Sequence, residues 1–135
     1  MKIPHMAHVA LVDGERFVLM RNIGQMFEPK LEHVAQPSLE PSNFSAGVRH
    51  QDQAGQRTGS TDLNELAHGA AAAEWLNQKA LANEIEHLVV VADPKTLGEM
   101  RRHYHKELQA RIVAELDKAL ANEPTAQIEK ALAAA

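Results

Sequence analysis

The stretch Leu88-Val89-Val90-Val91-Ala92-Asp93-Pro94 decides how this chain is read. Leu88–Ala92 is an unbroken apolar run dominated by valine, so neither face of a strand made from it has a side chain suited to water. Such a run predicts a strand in the interior of a sheet that is covered on both faces. Asp93-Pro94 then supplies a helix N-cap and a first-turn proline, whose missing amide costs nothing there. Moving downstream, Leu97, Met100, Tyr104 and Leu108 share a stripe, which predicts a helix over Pro94–Leu108. Arg111–Leu116 reads as a further strand, with a helix running through Ala121 as its competitor. A short helix follows Pro124, with Ile128 and Leu132 turned inward.

Moving upstream, Leu63, Leu66, Ala70, Ala73, Leu76 and Ala80 recur at three and four residues. Asp62 and Glu65 have capping-box spacing, so the helix is predicted over Asp62–Asn83. Nearer the N-terminus, His8–Val12 and Arg16–Arg21 are β-rich runs around Asp13-Gly14, a pair that favours a tight hairpin with positive φ at both positions. Lys30–Gln36 is a third extended segment ending at Pro37. Right-handed crossovers place the fourth strand beside the first. The expectation is therefore one α/β domain over residues 1–135, with a mixed five-stranded sheet of order 3-2-1-4-5 and flanking helices. That is a ribonuclease H-like arrangement.

Between the meander and the first helix, Pro37–Ser60 holds two prolines and three glycines among Ser, Asn and Gln, with no sustained period. A segment of that length without regular structure is typically functional or disordered, and it is expected to be a long flexible loop. Composition narrows the rest. Hydrophobic residues make up 44% and charged residues 24%, which is globular, and the aromatic share of 4% implies thin, alanine-faced helix packing. A net charge of -4 argues against a broad electrostatic grip on nucleic acid and leaves room for a local basic patch. With no cysteine, disulfides, thiolate zinc sites and cysteine nucleophiles are excluded. Met1–Ala10 does not read as a signal peptide and no apolar run is long enough to span a bilayer, so the expected compartment is the cytoplasm.

From Leu88 onward the chain resembles the bacterial "host attachment" family, a relative of the archaeo-eukaryotic release factor middle domain. The resemblance is carried by Leu88-Val89-Val90-Val91-Ala92, by Thr96-Leu97-Gly98-Glu99-Met100-Arg101, by Ala110–Lys118 and by Ile128-Glu129-Lys130-Ala131-Leu132. The hairpin Ala10–Arg16, Phe44-Ser45 and Arg49 fit the same pattern. It implies the fold derived above, and the expected role is a non-catalytic binding or adaptor one acting through the Pro37–Ser60 loop and the adjacent basic helix. Release factors of this class carry a Gly-Gly-Gln loop that enters the ribosome. Here the long loop holds Ala54-Gly55-Gln56-Arg57, with alanine at the first glycine position. On that comparison Gln56 is the candidate catalytic residue of a peptidyl-tRNA hydrolase.

Other candidates come from the residues themselves. Asp13 and Asp93 would converge with Asp62 or Glu65 at the carboxyl edge of strands one and four, where ribonuclease H-like nucleases hold two Mg²⁺ or Mn²⁺ ions. Each aspartate also has a ready structural task, in a turn or as a cap, and no cofactor is expected outside that nuclease alternative. His103 and His105 would lie two apart on a helix, about 200° around its axis, and cannot share an ion. No metal site is expected from the eight histidines. Arg101, Arg102 and Lys106, close to Arg111, form the concentrated basic stretch, and Arg49 and Arg57 add charge in the loop. These are the expected binding residues, suited to ribosomal or other RNA or to an acidic protein surface. Gly98 is expected to permit close packing of its helix against the sheet.

Overall fold

A computed structural model describes residues 1–39 and 56–135, with side chains in the second stretch described from Leu63 onward. In chain order the described residues form β1 (His8–Val12), β2 (Phe17–Asn22), β3 (Leu31–Ala35), α1 (Gln56–Leu81), β4 (Leu88–Ala92), α2 (Pro94–Arg101), α3 (Lys106–Arg111), β5 (Ile112–Leu116) and α4 (Thr125–Ala134). They build the expected α/β domain, with sheet order β3-β2-β1-β4-β5. β1 runs antiparallel to β2 and β2 to β3, whereas β1, β4 and β5 are parallel.

β4 behaves as its composition requires, for every one of its residues is 0% exposed. Leu88, Val90 and Ala92 join the core shared with α1, α2 and α3. Val89 and Val91 face the other way, into a cluster with Ile3, Ala7, Ile128 and Leu132. Burying each such valine is worth roughly 1.5–3 kcal/mol, which is why this strand lies inside the sheet. Small residues let α1 lie close to its neighbours. A Cβ added at Gly69 would sit 3.4 Å from Thr96 Cγ2 of α2, already at van der Waals contact, so the two helices lie close there.

Several local expectations are corrected. The hairpin is not a two-residue turn: Asp13 and Gly14 both keep negative φ. Instead the Asp13 carboxylate accepts from the amides of Glu15 and Arg16, and the Asp13 amide donates to the Arg16 carbonyl at 3.0 Å. That side-chain turn spans Asp13–Arg16 and moves the start of β2 to Phe17. Gly14 is required for a different reason, because its added Cβ would overlap Glu65 Cγ of α1.

α1 begins at Gln56 rather than Asp62, so Asp62 lies inside the helix and is not its N-cap position. Once the packed turns from Leu63 are formed, each further residue costs little to add, and no proline interrupts 56–61. Gln56–Ser60 therefore belong to α1, while residues 40–55 of the expected loop lie outside the described residues. The helix expected over Pro94–Leu108 is broken into α2 and α3, because Asn77 of α1 bonds the backbone between them. Gly98 faces nothing within 4 Å, so close packing does not account for it.

Candidate functional site

Two places bring together the residues singled out by sequence. One is the carboxyl edge of the parallel strands. Val12 pairs with Ala92 across β1 and β4, so Asp13 and Asp93 leave the sheet side by side. Both carboxylates are engaged there. Asp13 holds its own turn and lies 3.3 Å from the Arg16 guanidinium. Asp93 Oδ2 accepts from the Thr96 amide at 3.1 Å and caps α2. Glu65 pairs with Lys95 at 3.2 Å, and the His68 ring donates from Nδ1 to the Asp13 carbonyl at 2.8 Å. Among the described residues no group of three His, Asp or Glu side chains is placed to hold a metal ion. The Asp62 side chain is outside the described ones.

The other place is the break between α2 and α3, and it is built from α1. Asn77 is buried, at 4% exposure. Its Nδ2 donates to the His103 carbonyl at 2.8 Å, and its Oδ1 accepts from the His105 amide at 2.9 Å. These are the backbone groups that a continuous helix would have bonded internally. α2 therefore ends with Arg102 as C-cap, and His105 caps α3 through Nδ1, which accepts from the Glu107 amide at 3.0 Å. His103 and His105 are thus not two positions on one helix. His103 reaches Glu99 at 3.0 Å, and His105 is spent on its cap.

The break turns basic residues outward. The Arg102 side chain is 74% exposed, while Glu99, 3.4 Å away, is 9% exposed. Lys106 is exposed at the first position of α3. Arg101 lies behind them and contacts Glu115 of β5 through Nε at 3.1 Å and Nη2 at 2.9 Å. Hydrogen bonding to that carboxylate, and its charge, raise the Arg101 pKa. Tyr104 donates to the other Glu115 oxygen at 3.2 Å. Burial, then the charge of Glu115, push its phenol well above the ordinary value, so Tyr104 stays a neutral donor. A depression of about 340 Å³ bounded by Tyr104, Gln109 and Ile112 lies on one side of the Arg101–Glu115 pair. A second, of about 270 Å³, reaches from Pro94 and Leu97 to Asp117 on the other. Arg111 points elsewhere, donating to the Ile85 carbonyl at 2.7 Å and to Asn83 at 2.9 Å. The arrangement is an exposed basic turn with two shallow depressions near it, both lined by the Arg101–Glu115 pair.

The structure therefore gathers Arg101, Arg102 and Lys106 at one turn. Gln56 and Arg57 are at the start of α1, with side chains outside the described ones, and Arg49 lies outside the described residues altogether. Sequence reading missed Asn77. Its signal was available: it stands four residues after Ala73 and three before Ala80, on the inward stripe, where an amide needs a partner.

The profile of bacterial archaeo-eukaryotic release factor family 12 matches residues 6–132. The chain belongs to this family. The match spans β1 through α4, so the release factor relationship carried by Leu88–Ala92, Leu97-Gly98 and Arg101 extends to the whole described sheet. No curated protein matches the chain. Among the described residues of this family 12 member, no helix is long and apolar enough to cross a membrane.

Proposed function

We propose that this release factor relative is a non-catalytic binding domain whose Arg101–Lys106 turn docks on the phosphate backbone of RNA, ribosomal RNA first. The observation that carries the reading is the Asn77-pinned turn: it presents Arg102 at 74% exposure while the carboxylate beside it is 9% exposed. A cation carried on a pinned backbone has less main-chain entropy to lose on binding, and each phosphate it neutralises releases counterions. A net charge of -4 makes such contact local rather than general. The Pro37–Ser60 segment, with Arg49 and Arg57, is the second proposed contact. The attachment role suggested by the "host attachment" resemblance would use this same surface, in the cytoplasm.

The non-catalytic part is supported by the tasks already held by Asp13 and Asp93, each of which satisfies backbone amides. The test is co-sedimentation of the purified chain with ribosomes at low salt. Migration with ribosomal particles, lost in Arg102→Glu/Lys106→Glu, is the expected result. Capture by an acidic protein instead of RNA would contradict the partner. Peptidyl-tRNA hydrolysis lost in Gln56→Ala would overturn the non-catalytic reading. So would Mg²⁺- or Mn²⁺-dependent RNA cleavage lost in Asp13→Asn or Asp93→Asn.

A further inference from the structure

At the end of the sheet where β1 begins, the segment joining β2 to β3 holds apolar side chains in solvent. Phe27 is 61% exposed, and Ile23, Met26 and Met6 of the arm leading into β1 are open as well. The basic turn between α2 and α3 takes no part in this region, and nothing in the docking role uses it.

The loop that carries these side chains is tightly built. Asn22 is fully buried. Its Nδ2 donates to the Ile3 carbonyl at 3.0 Å and the Gln25 carbonyl at 3.3 Å. Its Oδ1 accepts from the amides of Gly24 at 2.9 Å and Lys30 at 3.0 Å. His5 Nδ1 donates to the Gly24 carbonyl at 2.8 Å. The Gln25 and Glu28 amides each donate to the other's carbonyl at 3.2 Å, and the Ile3 amide donates to the Met26 carbonyl at 3.1 Å. A Cβ at Gly24 would lie 2.7 Å from both the Glu28 carbonyl oxygen and the Lys30 nitrogen, so the chain closes on itself there. Met6 is held at a φ of 72°, which residues with a Cβ rarely adopt, while its amide bonds the Asn22 carbonyl. Exposed loops usually leave such backbone groups to water. Here most of them are satisfied inside the protein, which is what a loop entering an apolar medium requires.

We propose that this loop is a membrane-interface anchor. Ile23, Met26 and Phe27 enter the boundary between headgroups and acyl chains, and the exposed Lys2 and Lys30 meet the phosphates of anionic phospholipids. Arg21 and Glu32 neutralise one another at 2.8 Å. Glu28, exposed beside Phe27, keeps the insertion shallow. The side chains are too few for a stable protein interface, which buries about 800 Å² on each partner. The inference stands apart from the RNA reading.

The test is flotation of the purified chain with vesicles of equal parts phosphatidylcholine and phosphatidylglycerol. Binding is expected, and it should weaken by about tenfold or more in Ile23→Ser/Phe27→Ser. Both positions are exposed, and thermal melts check that the variant folds; Phe27→Ser alone decides if it does not. The chain has no cysteine, so Phe27→Cys and Glu123→Cys can each carry a single environment-sensitive dye. On adding vesicles, the dye at 27 should shift to the blue and the one at the exposed position 123 should not. Arg102→Ala/Lys106→Ala should leave vesicle binding unchanged, so the anchor can fail while the basic turn stands, and the reverse. No flotation at millimolar lipid would overturn the proposal, as would binding that survives Ile23→Ser/Phe27→Ser. Concentration-dependent self-association without lipid, lost in that variant, would overturn it in favour of a second copy of this chain.

Discussion

Replacing Asn77 by alanine should loosen the basic turn without touching any exposed residue. The change removes an amide that is 4% exposed and bonds both the His103 carbonyl and the His105 amide. Each backbone group left without its partner costs about 1–3 kcal/mol when water cannot reach it. His103 is half-buried and His105 exposed, so water recovers part of that loss and the low end applies to each. The expected destabilisation is about 2–3 kcal/mol, or roughly 10 °C in Tm for a chain of this size. Asn77→Asp keeps the acceptor for His105 but sets a buried carboxylate against the His103 carbonyl and Glu74, and should cost at least as much as alanine. Urea melts give the stability change, and ribosome co-sedimentation gives the function. Amide exchange at His105 and Glu107 should rise in the alanine variant, because its turn opens ahead of global unfolding. A cost below about 0.5 kcal/mol, with exchange and co-sedimentation unchanged, would mean that Asn77 does not hold the turn.

Three further outcomes follow from the same geometry. Gly98→Ala should raise stability by about 1 kcal/mol in a urea melt, since α2 gains helix propensity and the new methyl meets nothing within 4 Å. Gly14→Ala should destabilise, because its Cβ would overlap Glu65 Cγ, and adding Glu65→Ala should restore only part of the loss in a double-mutant cycle, since the Cβ at position 65 still lies 2.9 Å away. Stability should fall as pH drops below the ordinary imidazole value of 6.5, because burial and Arg21 depress the His8 pKa in the folded chain. The unfolded chain then takes up the proton first. The loss begins near 6.5, continues down through the lowered folded value, and should be smaller in His8→Phe, as read from melts across that range.

Much of the fold was legible because its deciding element is composition alone. Leu88–Ala92 has no polar residue to turn outward, so its central position and burial on both faces follow directly. The parallel pairing of β1 with β4 then places Asp13 beside Asp93, as crossover handedness requires. The missed features depend on contacts distant in sequence. The α2–α3 break has no glycine or proline to announce it, since it is imposed by Asn77 from α1. Gly14 was read as a source of positive φ, whereas Glu65 is what excludes a side chain there. Capping-box spacing at Asp62 did not mark the helix start, because nothing in 56–61 stops the helix from growing back to Gln56. Of the expected site residues, Arg101, Arg102 and Lys106 share one turn. Their order along a helix did not reveal that Arg101 would be held by Glu115 while Arg102, paired with Glu99, keeps most of its side chain exposed.

The measurement that bears most directly on the binding role is the salt dependence of RNA affinity, compared between wild type and Arg102→Ala/Lys106→Ala. Each phosphate contact contributes about 0.7–0.9 to the slope of log K against log salt. If both cations reach the backbone, the double variant should bind more weakly at low salt, and its slope should be shallower by about 1.5. Equal affinity and an equal slope in the two proteins would contradict docking through this turn.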